Sequence, residues 1–255
     1  MPSRAKSRLC IFGDSHIASA KRALDHGLLD LPDHEIEFWG ATGPAFRAFS
    51  VKDGLLVAGP KARAVAMTVS SRARETLAMD EVDIVMFYGA RLRIVQFFAP
   101  YIQRVRCGTG WPSAAVLQAA ARTFLMSTRA YRDAAELAAQ GKAKIMFLPG
   151  YLPNAEIFPF DHYPDYISGN PLAVEAAEAD RSYLWSTFVN LAAADGVILV
   201  PQPEDTVVNG IFTKAEFAAA GAKENGDPGH KSPEFAAMMI HLALGKSQDA
   251  GNKAA

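Results

Sequence analysis

The chain has only two cysteines in 255 residues, Cys10 and Cys107, far apart and without metal-like neighbours. A disulfide framework or a cysteine-built zinc module is thereby excluded, and Cys10, inside an apolar run, is expected to be a buried small hydrophobe. No apolar run approaches the roughly 20 residues that span a bilayer. The apolar stretch after the basic residues 1–8 covers only 9–12, short of a signal-peptide core of about 7 to 15 residues. The formal charge is −1 and no basic tract stands out, so the electrostatic footprint of a nucleic-acid binder is missing. Asp161-His162 and His34 lack the spacing of a metal site. These absences leave an expectation of a cytoplasmic protein with a small-molecule partner, without metal, cofactor, nucleic acid or membrane.

What is present is an ordinary globular composition, 50% hydrophobic and 21% charged, long enough for one large α/β domain. Five short segments, at 8–12, 35–39, 82–88, 143–148 and 197–200, look like strands of a mainly parallel sheet. Three are near-continuous apolar runs, as strands covered on both faces should be. Helical patterns lie between them at about 16–27, 61–79, 113–140 and 171–194, with a last helix at about 233–244. Asn170-Pro171 and Ser232-Pro233-Glu234 read as helix starts. The expected fold is a three-layer α/β/α sandwich with a flavodoxin-like, five-stranded sheet, one domain over 1–245 and a flexible tail at 246–255. The segment 148–169, rich in Pro, Tyr, Phe and Asp, reads as a long structured loop that builds a pocket. The Phe97-Phe98 pair and the Trp111 region read as core or loop packing.

The chemistry concentrates at two places. Leu9-Cys10-Ile11-Phe12-Gly13-Asp14-Ser15-His16 is a strand that breaks at a glycine turn and enters a helix, which places Ser15 at the crevice edge of an open sheet. Asp227-Pro228-Gly229-His230 offers a base and a carboxylate three residues apart. A serine hydroxyl needs a neighbouring base to act as a nucleophile, and serine, aspartate and histidine in that order supply the parts of an acyl-transfer site. Asp14 is expected to brace the first turn, His16 to line the pocket or sit on the surface, and Glu204-Asp205-Thr206 to shape the pocket edge. Gly13-Asp14-Ser15 lacks the glycines and lysine of a phosphate-cradling loop, which disfavours a nucleotide-binding protein.

Four blocks in order resemble those of the SGNH hydrolases, the GDSL-like esterase superfamily. Gly13-Asp14-Ser15-His16 resembles the nucleophile block, Gly40-Ala41-Thr42-Gly43 the glycine block, and Asp227-Pro228-Gly229-His230 the Asp-x-x-His block. Tyr88-Gly89-Ala90-Arg91 occupies the place of the Gly-x-Asn block. The resemblance implies that Ser15 is the nucleophile, His230 the general base and Asp227 its orienting acid, with the Ser15 and Gly43 N–H groups in the oxyanion hole. It departs at the third block, where Arg91 stands at the position of the family's asparagine. Losing one such donor costs roughly 2.7–4 kcal/mol in known cases. Arg91 either replaces the amide, clamps an anionic substrate group, or is a solvated loop residue, and Arg93 adds positive charge to the same edge. Asp14, His16 and Arg91 are the candidate substrate-binding residues. The implied activity is a serine esterase acting on a small O-acyl ester, including O-acetyl carbohydrate. An acyltransferase with the same triad and an inactive carbohydrate-binding domain are the alternatives.

Overall fold

The computed structural model describes residues 5–252, with side chains as far as residue 245. From the N-terminus the elements are β1 (Ser7–Gly13), α1 (Ile17–Asp25), β2 (His34–Gly40), β3 (Phe49–Lys52), β4 (Leu55–Ala58), α2 (Pro60–Val69), β5 (Thr76–Ala78) and β6 (Ile84–Arg93). There follow α3 (Val95–Arg106), α4 (Ala114–Ser127), α5 (Arg129–Ala138), β7 (Lys144–Gly150), α6 (Asp165–Ser168), α7 (Glu178–Ala194) and β8 (Val197–Leu199). The short hairpin pair β9 (Val207–Val208) and β10 (Phe212–Thr213) precedes the last helix, α8 (Pro233–Asn252).

Five strands form one parallel sheet in the order β2-β1-β6-β7-β8. Alternation along the strands divides the core in two. Leu9, Ile11, Ile84, Met86, Met146 and Leu148 face α1 and α8, which bring Ala20, Phe235 and Ile240 to that layer. Cys10, Phe12, Val85, Phe87, Ile145 and Phe147 face the opposite layer, where Phe98, Leu125, Tyr131 and Phe188 pack from α3, α4, α5 and α7. Both sheet faces are therefore covered, which is why these strands read as unbroken apolar runs. Burial raises the Cys10 thiol pKa, so it stays protonated as a packing group.

Several expected helices end where tertiary contacts intervene. The helix expected over 61–79 stops at Val69, and 76–78 instead pairs with β4 in the antiparallel sheet β3-β4-β5. The cause lies on β2. Buried Glu37 accepts hydrogen bonds from Ser70 Oγ at 2.6 Å and Arg74 Nε at 2.8 Å, which draws the chain out of the helix. The stretch 113–140 divides at Thr128, whose backbone is extended. In 171–194, Pro171 opens a 3₁₀ turn and the α-helix begins only at Glu178, where the Asp180 carboxylate accepts the Ala177 N–H. Asn170 does not cap this turn; its amide donates to the Tyr166 carbonyl instead. Ser232 does cap the last helix, accepting from the Phe235 N–H. That helix continues to Asn252, so the backbone of 246–252 is helical rather than an irregular tail, and 253–255 lie outside the described residues. The Phe97-Phe98 pair lies on α3, a helix with Pro100 inside it.

Candidate active site

In a sheet of this order the connections leave β1 and β6 in opposite directions, which opens a crevice at their carboxyl ends. Register puts Gly13 level with both Gly40 and Tyr88. The segments that follow, 14–16, 41–43 and 89–91, therefore emerge at one edge. The loop after β7 and the approach to α8 complete the site from the other side.

Asp227 organises its own turn. Its Oδ1 accepts the N–H groups of Gly229 at 2.9 Å and His230 at 3.2 Å, an aspartate-stabilised turn of the kind Asp-Pro-Gly favours. Its Oδ2 lies 2.6 Å from His230 Nδ1, and His230 Nε2 lies 2.7 Å from Ser15 Oγ. Burial pushes the Asp227 carboxyl pKa up, but the two N–H groups and the imidazole outweigh this and hold it below the usual carboxylate range. An ionised carboxylate only accepts, so Nδ1 carries the imidazole proton and Nε2 is left to accept the Ser15 hydroxyl hydrogen. Ser15 from the first sequence block and Asp227 and His230 from the last thus form one continuous relay.

Around this relay, His16 stacks on His230 with ring centroids 4.7 Å apart. Gly89, with φ +62°, makes room for it, because a Cβ there would lie 2.4 Å from His16 Cβ. Gly43 also has positive φ, at +52°, but a Cβ would meet nothing within 4 Å. Its backbone conformation, rather than packing against protein, calls for glycine. Asp14 is buried and braces the turn, its Oδ1 accepting the His16 N–H and its Oδ2 the Arg91 Nε at 2.6 Å. Arg91 also donates to the Gly43 carbonyl at 3.2 Å. It therefore ties the first block to the second, its charge neutralised by Asp14, and is not a loose solvated residue.

Burial lowers the His16 pKa to about 4, against the opposing pull of Asp14. The unfolded chain gains this proton near pH 6.5 whereas the folded protein does not. Stability is therefore expected to fall by up to about 3 kcal/mol as pH drops from 6.5 to 4. Urea unfolding of wild type and His16→Phe across that range checks it: the variant should lack this part of the decline. The difference between the two proteins isolates His16 from Asp133. Burial pushes the Asp133 carboxyl up to about 6, which acts with the opposite sign in the same window. Parallel curves would show that His16 is not held neutral.

The relay opens into a cavity of about 310 Å³. Its far wall comes from Gly150, Tyr151, Pro153, Tyr163, Tyr166 and Ile167, within the loop that composition singled out. Arg91 also lines a neighbouring apolar cavity of about 260 Å³ walled by Phe12, Phe46 and Phe49. Glu204-Asp205-Thr206 does not line the cavity at Ser15. Glu204 is paired with Arg181 at 2.5 Å, and buried Thr206 bonds to Gln202.

Two residues behind the site carry no sequence signal. Asn154, fully buried, donates from its backbone to the Pro228 carbonyl and from its amide to the carbonyls of His230 at 2.9 Å and Asp227 at 3.4 Å. Its Oδ1 accepts from Lys231 Nζ at 2.5 Å, which also donates to the Leu152 carbonyl. Burial drives the Lys231 pKa well below its ordinary value. In sequence, a lysine between a histidine and Ser-Pro reads as a solvated residue. Compared with known proteins, the chain matches no family model, no curated protein and no solved structure.

Proposed function

We propose that this protein is a serine esterase of the SGNH type that cleaves a small O-acyl ester through an acyl-enzyme intermediate. The observation that carries this reading is the unbroken Asp227–His230–Ser15 relay, with both links at 2.6–2.7 Å. His230 Nε2 takes the hydroxyl proton as Ser15 Oγ attacks the ester carbonyl, and Asp227 stabilises the imidazolium that forms. Collapse of the tetrahedral adduct breaks the bond to the alcohol oxygen, which leaves with the proton from Nε2. Water then enters, gives its proton to Nε2, and releases the acid as Ser15 is restored. An acceptor hydroxyl in place of that water gives an acyltransferase.

The oxyanion donors in this reading are the N–H groups of Ser15 and Gly43, neither of which has an acceptor among the described residues. Arg91 takes no direct part as donor. It holds the two donor-bearing segments together through Asp14 and the Gly43 carbonyl, so the asparagine of the third block is replaced by a brace.

A fluorophosphonate probe and p-nitrophenyl acetate test the reading together. Wild type should label and turn over, and Ser15→Ala should lose labelling and at least about 10⁴-fold in kcat. Labelling without turnover points to a transferase awaiting its acceptor. Absence of both in folded protein would overturn the assignment in favour of a binding domain.

A further inference from the structure

Charge in the catalytic cavity is unevenly used. Among its lining residues Asp14 is paired with Arg91 and Asp227 with His230. Arg93 also lines the cavity, and its guanidinium has no hydrogen bond or ion pair among the described residues. It is held there by strand geometry. β6 runs on past the level of Tyr88, with register shifts against β7 between Phe87 and Ala90 and again between Ala90 and Arg93. Leu92 is buried while Arg91 and Arg93 are exposed, so the two arginines share one side of the strand. Arg91 turns to Asp14 and Gly43. Arg93, level with Gly150 on β7, has no such partner. The remaining wall is aromatic and aliphatic, from Tyr151, Tyr166, Ile167, Pro153 and Val95. Such a wall supplies no carboxylate to neutralise it.

We infer that Arg93 is a specificity-determining residue that binds an oxyanion on the substrate, so the ester accepted by this site carries a carboxylate or phosphate group. The inference rests on the esterase reading of Ser15 and adds to it the charge of the substrate. A guanidinium with no intramolecular partner, at the edge of a partly enclosed cavity, recognises a planar or tetrahedral oxyanion through paired N–H donors. The partner is supplied only when the substrate arrives. A neutral ester offers this exposed charge no partner beyond water, which sets the direction of the selectivity.

The test is the ratio of kcat/KM values, measured within each protein, for 4-acetoxybenzoate and 4-acetoxyphenyl phosphate against neutral phenyl acetate. Wild type should favour an anionic ester by about tenfold or more, the range expected of one charge-assisted hydrogen-bonded contact. Arg93→Gln should bring the ratio to about one, Arg93→Glu should invert it, and Arg93→Lys should keep part of it. Whichever anion gives the larger ratio identifies the substrate group as carboxylate or phosphate. The same pairs are titrated calorimetrically into Ser15→Ala, with and without Arg93→Gln, so that binding is read where no ester is cleaved. A ratio near one in wild type, or one that Arg93→Gln leaves unchanged, overturns the inference. Loss of all turnover and labelling, with Arg93-dependent anion binding retained, would instead overturn the esterase reading and leave the anion site standing.

Discussion

Asp227→Asn is expected to leave the protein folded and to lower kcat on p-nitrophenyl acetate by about 10⁴-fold. The two are separable because the two carboxylate oxygens do different work. Oδ1 accepts the Gly229 and His230 N–H groups and so builds the turn; an asparagine oxygen can do the same. Oδ2 faces His230 Nδ1 at 2.6 Å, and there the variant presents an NH₂. A donor opposite Nδ1 favours the tautomer with the proton on Nε2, which then points a hydrogen at Ser15 Oγ and cannot take one. Ser15 is left without a proton acceptor in a nearly unchanged site. Circular dichroism and the urea midpoint should match wild type closely, and fluorophosphonate labelling should slow in step with turnover. A loss below about tenfold would mean that His230 is oriented by something other than this carboxylate. Asp227→Ala is the less informative variant, since it removes the turn together with the tautomer control.

The parts of this site legible in sequence are those whose physics is local. A glycine-broken apolar run ending in Asp14-Ser15 and an Asp-Pro-Gly-His turn each announce their conformation within a few residues. Alternation in 9–12, 84–88 and 145–148 determines which side chains meet which helical layer. The loop 148–169 is identified as pocket-forming by composition alone, and its Tyr163 and Tyr166 line the cavity. What remains hidden depends on partners distant in sequence. Arg91 can be a donor, a clamp or a solvated residue until Asp14, 77 positions away, is seen against it. The end of α2 is set by Glu37 on another strand. Asn154 and Lys231 look like ordinary loop polar residues until burial joins them behind His230.

That buried pair leads to the second large expectation. Asn154→Leu should destabilise the protein by about 1–3 kcal/mol, because the His230 carbonyl and the buried Lys231 Nζ each lose one of two partners, keeping only the Ala219 N–H and the Leu152 carbonyl. The backbone bond from residue 154 to the Pro228 carbonyl survives the substitution, so the Asp-Pro-Gly-His turn loosens without detaching. Turnover should fall chiefly in kcat, with KM little changed, since Asn154 touches the relay through backbone carbonyls and does not line the cavity. Adding Lys231→Met removes the amine that the first substitution left under-bonded and should restore at least about 1 kcal/mol, a non-additive recovery of the kind expected for two residues in one network. It should not restore kcat, because the His230 carbonyl is still without the Asn154 amide and is held by the Ala219 N–H alone. Urea melts and kcat on the two single variants and the double variant close the cycle. Strictly additive stabilities would break the coupling between Asn154 and Lys231. Recovery of kcat together with stability would reduce both residues to packing, with no part in holding His230 toward Ser15.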